Sequence, residues 1–409
     1  MSSTAKQKRA WISPVLFTLG FRPFFLGAAL WAATGMALWA LAMGGMQVLP
    51  TAFDPVSWHA HAFLFGYLSA VIAGFLLTAV PNWTGRQPIV GWPLGLLFGL
   101  WIAGRIATIW SGSLSPVFVA IIDLSMPILL AVIIAREIIS GRNWRNLIVL
   151  AMLVIFMTGN AVFHWEAARG AYAAQGYGLR IGLGAALMMI AVIGGRVVPA
   201  FTRNWLTRRQ ATRLPAPPMQ RFDKLALVTL ALALVLWVAQ PDAPTTGAAL
   251  ALAAGLHVLR LARWSGLAAL AEPLVFILHV AYLFIPLGAL GLAVQILRPG
   301  LMALGAAQHL WMSGAIGLMS LAIMTRATLG HTGQPRSAGW ATSLIYIAIV
   351  VATAMRVGVG VWPGNVTMLY AVSAILWIAG FLGFVAIYGP LLARARIAQE
   401  GQDAGVSKR

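Results

Sequence analysis

Residues 57–80 read SWHAHAFLFGYLSAVIAGFLLTAV, a run that carries two histidines and no Asp, Glu, Lys or Arg. A hydrocarbon core about 30 Å thick is crossed by about 20 helical residues, so this stretch predicts a membrane span. Asp54-Pro55 ahead of it supplies an N-cap and a proline at the first helical position. Pro81-Asn82-Trp83-Thr84-Gly85-Arg86 closes it with turn-forming and basic residues. Two imidazoles near one end of an otherwise apolar span are expensive, and they mark the segment as a candidate site.

Outward from this segment the same pattern repeats. Apolar runs at 21–46, 57–80, 91–112, 115–135, 145–165, 177–200, 223–240, 244–264, 271–295, 302–325, 339–361 and 365–391 give twelve expected helices. Of the 409 residues, 60% are hydrophobic and 9% charged, against about 25% charged in an average soluble domain, which excludes an ordinary soluble enzyme. The expected fold is an all-α polytopic membrane protein, one integral domain over 1–409, with the lipid bilayer as its surroundings. The first span follows a basic leader but is too long for a signal peptide and is expected to be retained. With no cysteine, disulfides, thiolate metal sites, iron–sulfur clusters and covalent haem are excluded, leaving His, Met or carboxylate as metal ligands.

The net charge of +19 is distributed by topology rather than on a nucleic-acid-binding face. With twelve spans, 23 of the 28 Lys and Arg fall on the N-terminal side, among them Lys6, Lys8, Arg9, Arg396, Lys408 and Arg409. Arg169, Arg180, Arg298 and Arg356 fall opposite, and Arg105 lies within a span. The positive-inside rule then places both termini in the cytoplasm and predicts a multi-pass inner-membrane protein, with 202–222 as a basic cytoplasmic loop. That loop would divide two six-helix halves. A competing symmetry is a threefold repeat, hinted at by three related helix ends: Val80-Pro81, Val198-Pro199 and Met324-Thr325, each followed by Thr and Arg.

Within the spans, Arg105 and Asp123 are at nearly equal depth on antiparallel neighbours, which predicts a buried ion pair. Six of the seven histidines fall within spans or at their ends. His59, His61, His164 and His309 share the half of the membrane away from the termini; His279 is expected near mid-span, His257 toward the terminal side and His331 in a loop after the tenth helix. His59 and His61 are two residues apart, about 200° around a helix, so they are expected to serve different neighbours or different metals. Asn160 and His164 share a face. Imidazoles converging from facing helices suit non-covalent haem, with copper as the second candidate. Arg22, Arg86, Arg196, Arg203 and Arg326 at terminal-side helix ends would meet haem propionates or another anion.

These segments together resemble the NnrS family of membrane proteins linked to nitric oxide metabolism. The resemblance rests on Phe21-Arg22-Pro23-Phe24-Phe25, Trp58-His59-Ala60-His61 and Ala73-Gly74-Phe75 through Arg86. It continues in Gly195-Arg196-Val197-Val198-Pro199, Glu272-Pro273-Leu274 with His279 and Tyr282, and Met324-Thr325-Arg326 through His331-Thr332-Gly333. It implies a bacterial inner-membrane protein of twelve helices that carries haem b and copper and protects against nitric oxide, often alongside denitrification. On this scheme His279 and His309 are expected to hold haem, and His59, His61 and His164 copper. Arg22, Arg86, Arg196, Arg203, Arg326 and His331 are expected among the cofactor-binding residues. The chain departs from the family at Ala62-Phe63, where Glu-Met is usual. Expected partners are nitric oxide or another small diatomic ligand and an unidentified electron donor. The alternative reading is a twelve-helix secondary transporter of a small anion, which leaves the histidine layer unexplained.

Overall fold

The computed structural model describes residues 14–360 and 362–394. Lys6, Lys8, Arg9, Arg396, Lys408 and Arg409, counted above toward the basic side, lie outside the described residues. Among those described, twelve helices are long and apolar enough to cross a membrane, and there is no strand. They are α1 Phe21–Met43, α2 Pro55–Thr84, α3 Trp92–Ile109, α4 Pro116–Ser140, α5 Trp144–Ala168, α6 Tyr177–Arg208, α7 Arg221–Ala239, α8 Pro244–Ala262, α9 Pro273–Leu297, α10 Leu304–Thr332, α11 Trp340–Gly358 and α12 Val366–Ala393. Short connections reverse the chain after each, so an even number of helices returns both ends to one face, here called the terminal face.

Two boundaries differ most from the expected ones. The sixth helix continues through Pro199 to Arg208, so the first residues of the expected 202–222 loop are helical. The tenth runs on to Thr332 and ends at Gly333, whose left-handed φ of 78° suits glycine, so His331 is helical rather than in a loop. In both cases polar Thr and Arg side chains extend the helix, its buried threonines donating back to carbonyls of their own helix, and hydropathy alone cannot see that extension.

The core sits on three helices. Apolar windows of α2, α6 and α10 are 72%, 67% and 78% buried, a level otherwise reached only by α9, while most flanking helices turn more than half of theirs outward. Each of the three contains a π-helical segment: Ala62–Tyr67, Ile190–Gly194 and Leu310–Gly317. Such widened turns disturb the i to i−4 ladder and leave carbonyls that need other donors in a dry interior. Trp31 donates to Ala62 O at 2.8 Å and Trp101 to Gly66 O at 2.9 Å. Arg260 donates to Ala191 O at 2.9 Å, and Ser320 to Ile316 O at 2.6 Å.

The three related helix ends mark a common register. The intervals from Val80 to Val198 and from Val198 to Met324 carry Ile72 to Ile190 and Ile316, Phe75 to Ile193 and Met319, and Leu76 to Gly194 and Ser320. All nine residues line one cavity between α2, α6 and α10. The repeat of four helices thus has a structural counterpart, three helices presenting equivalent positions to a shared axis.

Candidate functional site

Two groups of side chains meet in the half of the bundle away from the terminal face. The first centres on Asp123, buried on α4. Gly104 lets α3 and α4 approach, since a Cβ there would lie 2.8 Å from Asp123 Oδ1. The Arg105 guanidinium pairs with Asp123 Oδ1, as the equal depths of the two residues predict. A Cβ on Gly66 would overlap that guanidinium, so the π-helical segment of α2 makes room for it. On the other oxygen, Asp123 Oδ2 accepts from Asn160 Nδ2 at 2.8 Å, His164 Nε2 at 3.0 Å and His61 Nε2 at 3.1 Å. His61 Nε2 also lies 3.0 Å from Asn160 Oδ1. Both neighbours are acceptors, so Nε2 carries the imidazole proton in this arrangement. Phe53, Phe65 and Phe163 wall the cluster, with ring centroids 5.5–5.6 Å from that of His61.

This carboxylate is distinctive among the described acids. Asp54 caps α2, Glu166 receives Tyr177 N–H and Gly178 N–H at the start of α6, and Glu272 caps α9. Asp223 completes the capping box of α7, and Glu137 pairs with Arg86. Asp123 caps nothing and gathers four donors in mid-bundle. One oxygen of it and one nitrogen each of His61 and His164 lie within 4.8 Å of one another, a spread that a single metal ion can take.

The second group faces a chamber of about 160 Å³. The imidazole planes of His59 and His309 are 15° apart and their centroids 6.2 Å apart. His309 Nδ1 donates to Gly305 O at 2.6 Å, which fixes the tautomer and leaves Nε2 as a free lone pair. The π-helical segments of α2 and α10 begin immediately after His61 and His309. The His59 ring rests on Trp39 at 4.3 Å and Phe63 at 4.8 Å. Its Nδ1, and Trp39 Nε1 beside it, are buried without a hydrogen-bond partner among the described residues. Arg356, set over the Tyr370 ring at 4.9 Å, brings a cation to the same chamber.

His59 and His61 therefore serve different neighbours, as their angular separation requires. The expected grouping of His59 with His61 and His164 is not formed, because His59 turns to His309 instead. Nor does the structure bring His279 to His309. His279 is the seventh residue of α9 from the terminal face, and His309 the sixth of α10 from the other, so their depths differ by roughly 20 Å at 1.5 Å per residue. His279 Nε2 is hydrogen-bonded to Thr202 at 2.8 Å and lies against Trp264. His331 packs on Phe21 at 5.3 Å.

Most of the terminal-side arginines have partners within the protein. Arg22 donates to the carbonyls of Leu391, Leu392 and Arg394 and so closes the end of α12. Arg203 donates to Pro215 O, and Arg326 stacks 3.8 Å from the centroid of Phe201. Arg196 is half-buried on α6. With Arg86 held by Glu137, three of the five, Arg22, Arg86 and Arg203, are already bonded within the protein. Sequence reasoning missed Trp39, Tyr67, Gln308 and Arg356 around the chamber; the only signal was that Arg356 is one of few basic residues on its side.

The family described as NnrS protein matches residues 15–396, nearly the whole chain, and the chain belongs to it. No curated protein matches the chain.

Proposed function

We propose that this NnrS-family chain is a haem- and copper-binding protein of the bacterial inner membrane that binds nitric oxide and protects against nitrosative stress alongside denitrification. Its termini lie in the cytoplasm and its electrons come from a partner or the membrane pool. The observation that carries the reading is the His59–His309 pair: two near-parallel imidazoles across a chamber, one with its tautomer fixed for ligation. His309, whose Nδ1 is held by Gly305 O and whose Nε2 is free, would hold the cofactor iron, and His59 would face the same chamber with its Nδ1 unpartnered. The unpartnered Trp39 N–H and the Arg356 guanidinium suit a cofactor that carries carboxylates. His59 and His309 are thus assigned to haem, in place of His279 and His309. His61 and His164, with Asp123 Oδ2 facing the same nitrogens, are assigned to copper.

When bound, haem supplies an iron that takes a diatomic ligand. Around it the chain would hold His309 by Gly305 O and keep Trp39 and Phe63 against His59, with Gln308, Ser313 and Arg356 as polar groups in the same lining. At the second centre Asp123 orients both imidazoles, while Arg105 balances the carboxylate charge. A copper ion held there would take the place of the Nε2 protons that now bind Asp123, each proton moving to Nδ1, a tautomer exchange rather than gain of charge, and the carboxylate would then face the ion. The anion-transporter alternative is less well supported, because the described acids other than Asp123 lie near helix ends or connections and the central cavity is apolar.

The test is an optical spectrum of detergent-purified protein, oxidised, reduced and then exposed to nitric oxide, with metal analysis on each sample. A Soret band that shifts with nitric oxide, lost in His59→Ala and His309→Ala but kept in His279→Ala, is expected. A band kept in both of the first two variants overturns the assignment.

A further inference from the structure

The cavity on the central axis has no place in the metal chemistry above. It measures about 100 Å³ and lies between α2, α6 and α10. A water-sized molecule needs only about 10–15 Å³ of such volume, so there is room for several small guests. Its walls are Ile, Leu, Val, Met, Phe and Ala side chains, with Gly194 and a single hydroxyl, Ser320. That hydroxyl is already committed: it donates to Ile316 O, and Tyr67 O–H donates to it at 2.6 Å. Water entering would forfeit its hydrogen bonds, and apolar cavities of this kind stay dry and accept xenon or benzene. Phe75, Ile193, Val197 and Ile323 keep part of their surface accessible, so the cavity is not sealed.

Its position gives it a second property. Among the described residues, Ile316 alone lines both this cavity and the His59–His309 chamber. Beside it, the Tyr67–Ser320 hydrogen bond joins one lining to the other, Tyr67 facing the chamber and Ser320 the axis. Ile316 stands in the π-helical segment of α10, where the helical ladder is already widened.

We propose that the axial cavity is a docking site for small apolar gas molecules, and that Ile316 is the partition through which they pass to the His59–His309 chamber. Docking needs no metal; the passage rests on the haem assignment above. Diatomic gases dissolve in hydrocarbon and reach the cavity from the bilayer. Polar anions are refused by the same walls.

Anomalous diffraction from xenon-pressurised crystals of the full chain tests the docking site. Xenon in contact with Ile72, Ile190 and Ile316 is expected. No xenon in the cavity, or an acyl or detergent chain filling it, overturns the site. Gly194→Val is the matching variant: a Cβ there meets only ordinary contacts, Tyr282 at 3.6 Å and the cavity-lining Ile190 and Met319 at 3.9 Å. Ile193→Phe fills the cavity from a half-buried position and is the second variant. Both should abolish xenon occupancy, and in haem-loaded protein lower the nitric oxide association rate after flash photolysis at least threefold. Ile316→Ala should raise that rate by a similar factor. Unchanged rates in all three variants overturn the passage while leaving the docking site to the xenon result. Protein that binds xenon and no haem keeps the site and overturns the passage together with the haem assignment.

Discussion

Two buried ion pairs occupy opposite halves of the bundle, and they are built around opposite charges. Away from the terminal face, Asp123 is the hub, with Arg105, His61, His164 and Asn160 as donors. Toward the terminal face, Arg260 is the hub. It donates to Asp223 at 2.9 Å, to Tyr282 Oη at 2.7 Å and to Ala191 O, and Tyr282 Oη lies 2.9 Å from His257 Nδ1. His257 Nε2 donates to Ala226 O at 3.1 Å. A carboxylate hub presents imidazole nitrogens to a negative centre, a place where a cation can substitute for protons. A guanidinium hub offers only donors and fastens α6, α7, α8 and α9 together. The same polar vocabulary thus yields a candidate ligand site in one half and a clamp in the other.

The largest effect that would break this contrast is at Asp123. Asp123→Ala leaves Arg105 buried without its counter-charge, and a loss of about 3–5 kcal/mol is expected, read as thermal unfolding in detergent. Arg260→Met removes the other hub, yet Asp223 keeps its capping bond to Gln220 N–H at 2.9 Å. The expected loss is smaller, about 1–3 kcal/mol, and copper content should be unchanged, whereas Asp123→Asn should lose copper. Equal copper loss in both variants would remove the distinction between ligand site and clamp. Gly66→Ala forces the added methyl against Arg105 and should cost about 1–3 kcal/mol; Gly195→Ala, whose Cβ would overlap Arg260 in the same way, should cost about as much, whereas a change at exposed Gly255 meets nothing. Tyr282→Phe deletes one interhelical hydroxyl and should cost only about 0.6–1.7 kcal/mol. His331→Ala, which loses one ring contact with Phe21, should be the mildest, within about 1 kcal/mol and with haem content intact.

Much of the polar plan was legible in the sequence. Arg105 and Asp123 could be paired because a tight hairpin fixes relative depth, and depth follows from a constant rise per residue. His59 and His61 could be sent to different neighbours because an angle of about 200° follows from the helix itself. The joint assignment of His279 and His309 failed on the same quantity, depth: placing His279 near mid-span missed how close to the terminal face α9 holds it. His164 was grouped with His59 because both lie in one half of the membrane, but depth says nothing about azimuth. The partner of His59 is set by how α2 and α10 face each other.

What the sequence determined by itself was the number of helices, the asymmetry of basic charge and the family. Hydropathy sums locally along a window, and charge counts need no knowledge of packing. The register of the threefold repeat was also written there, in Val80, Val198 and Met324, though only as an echo. The tertiary structure decided which imidazoles meet, which arginines are already spoken for and that the three central helices leave an apolar space on their axis. Those outcomes depend on helix rotation and on π-helical turns that re-aim side chains, and both are set by contacts between segments far apart in the chain.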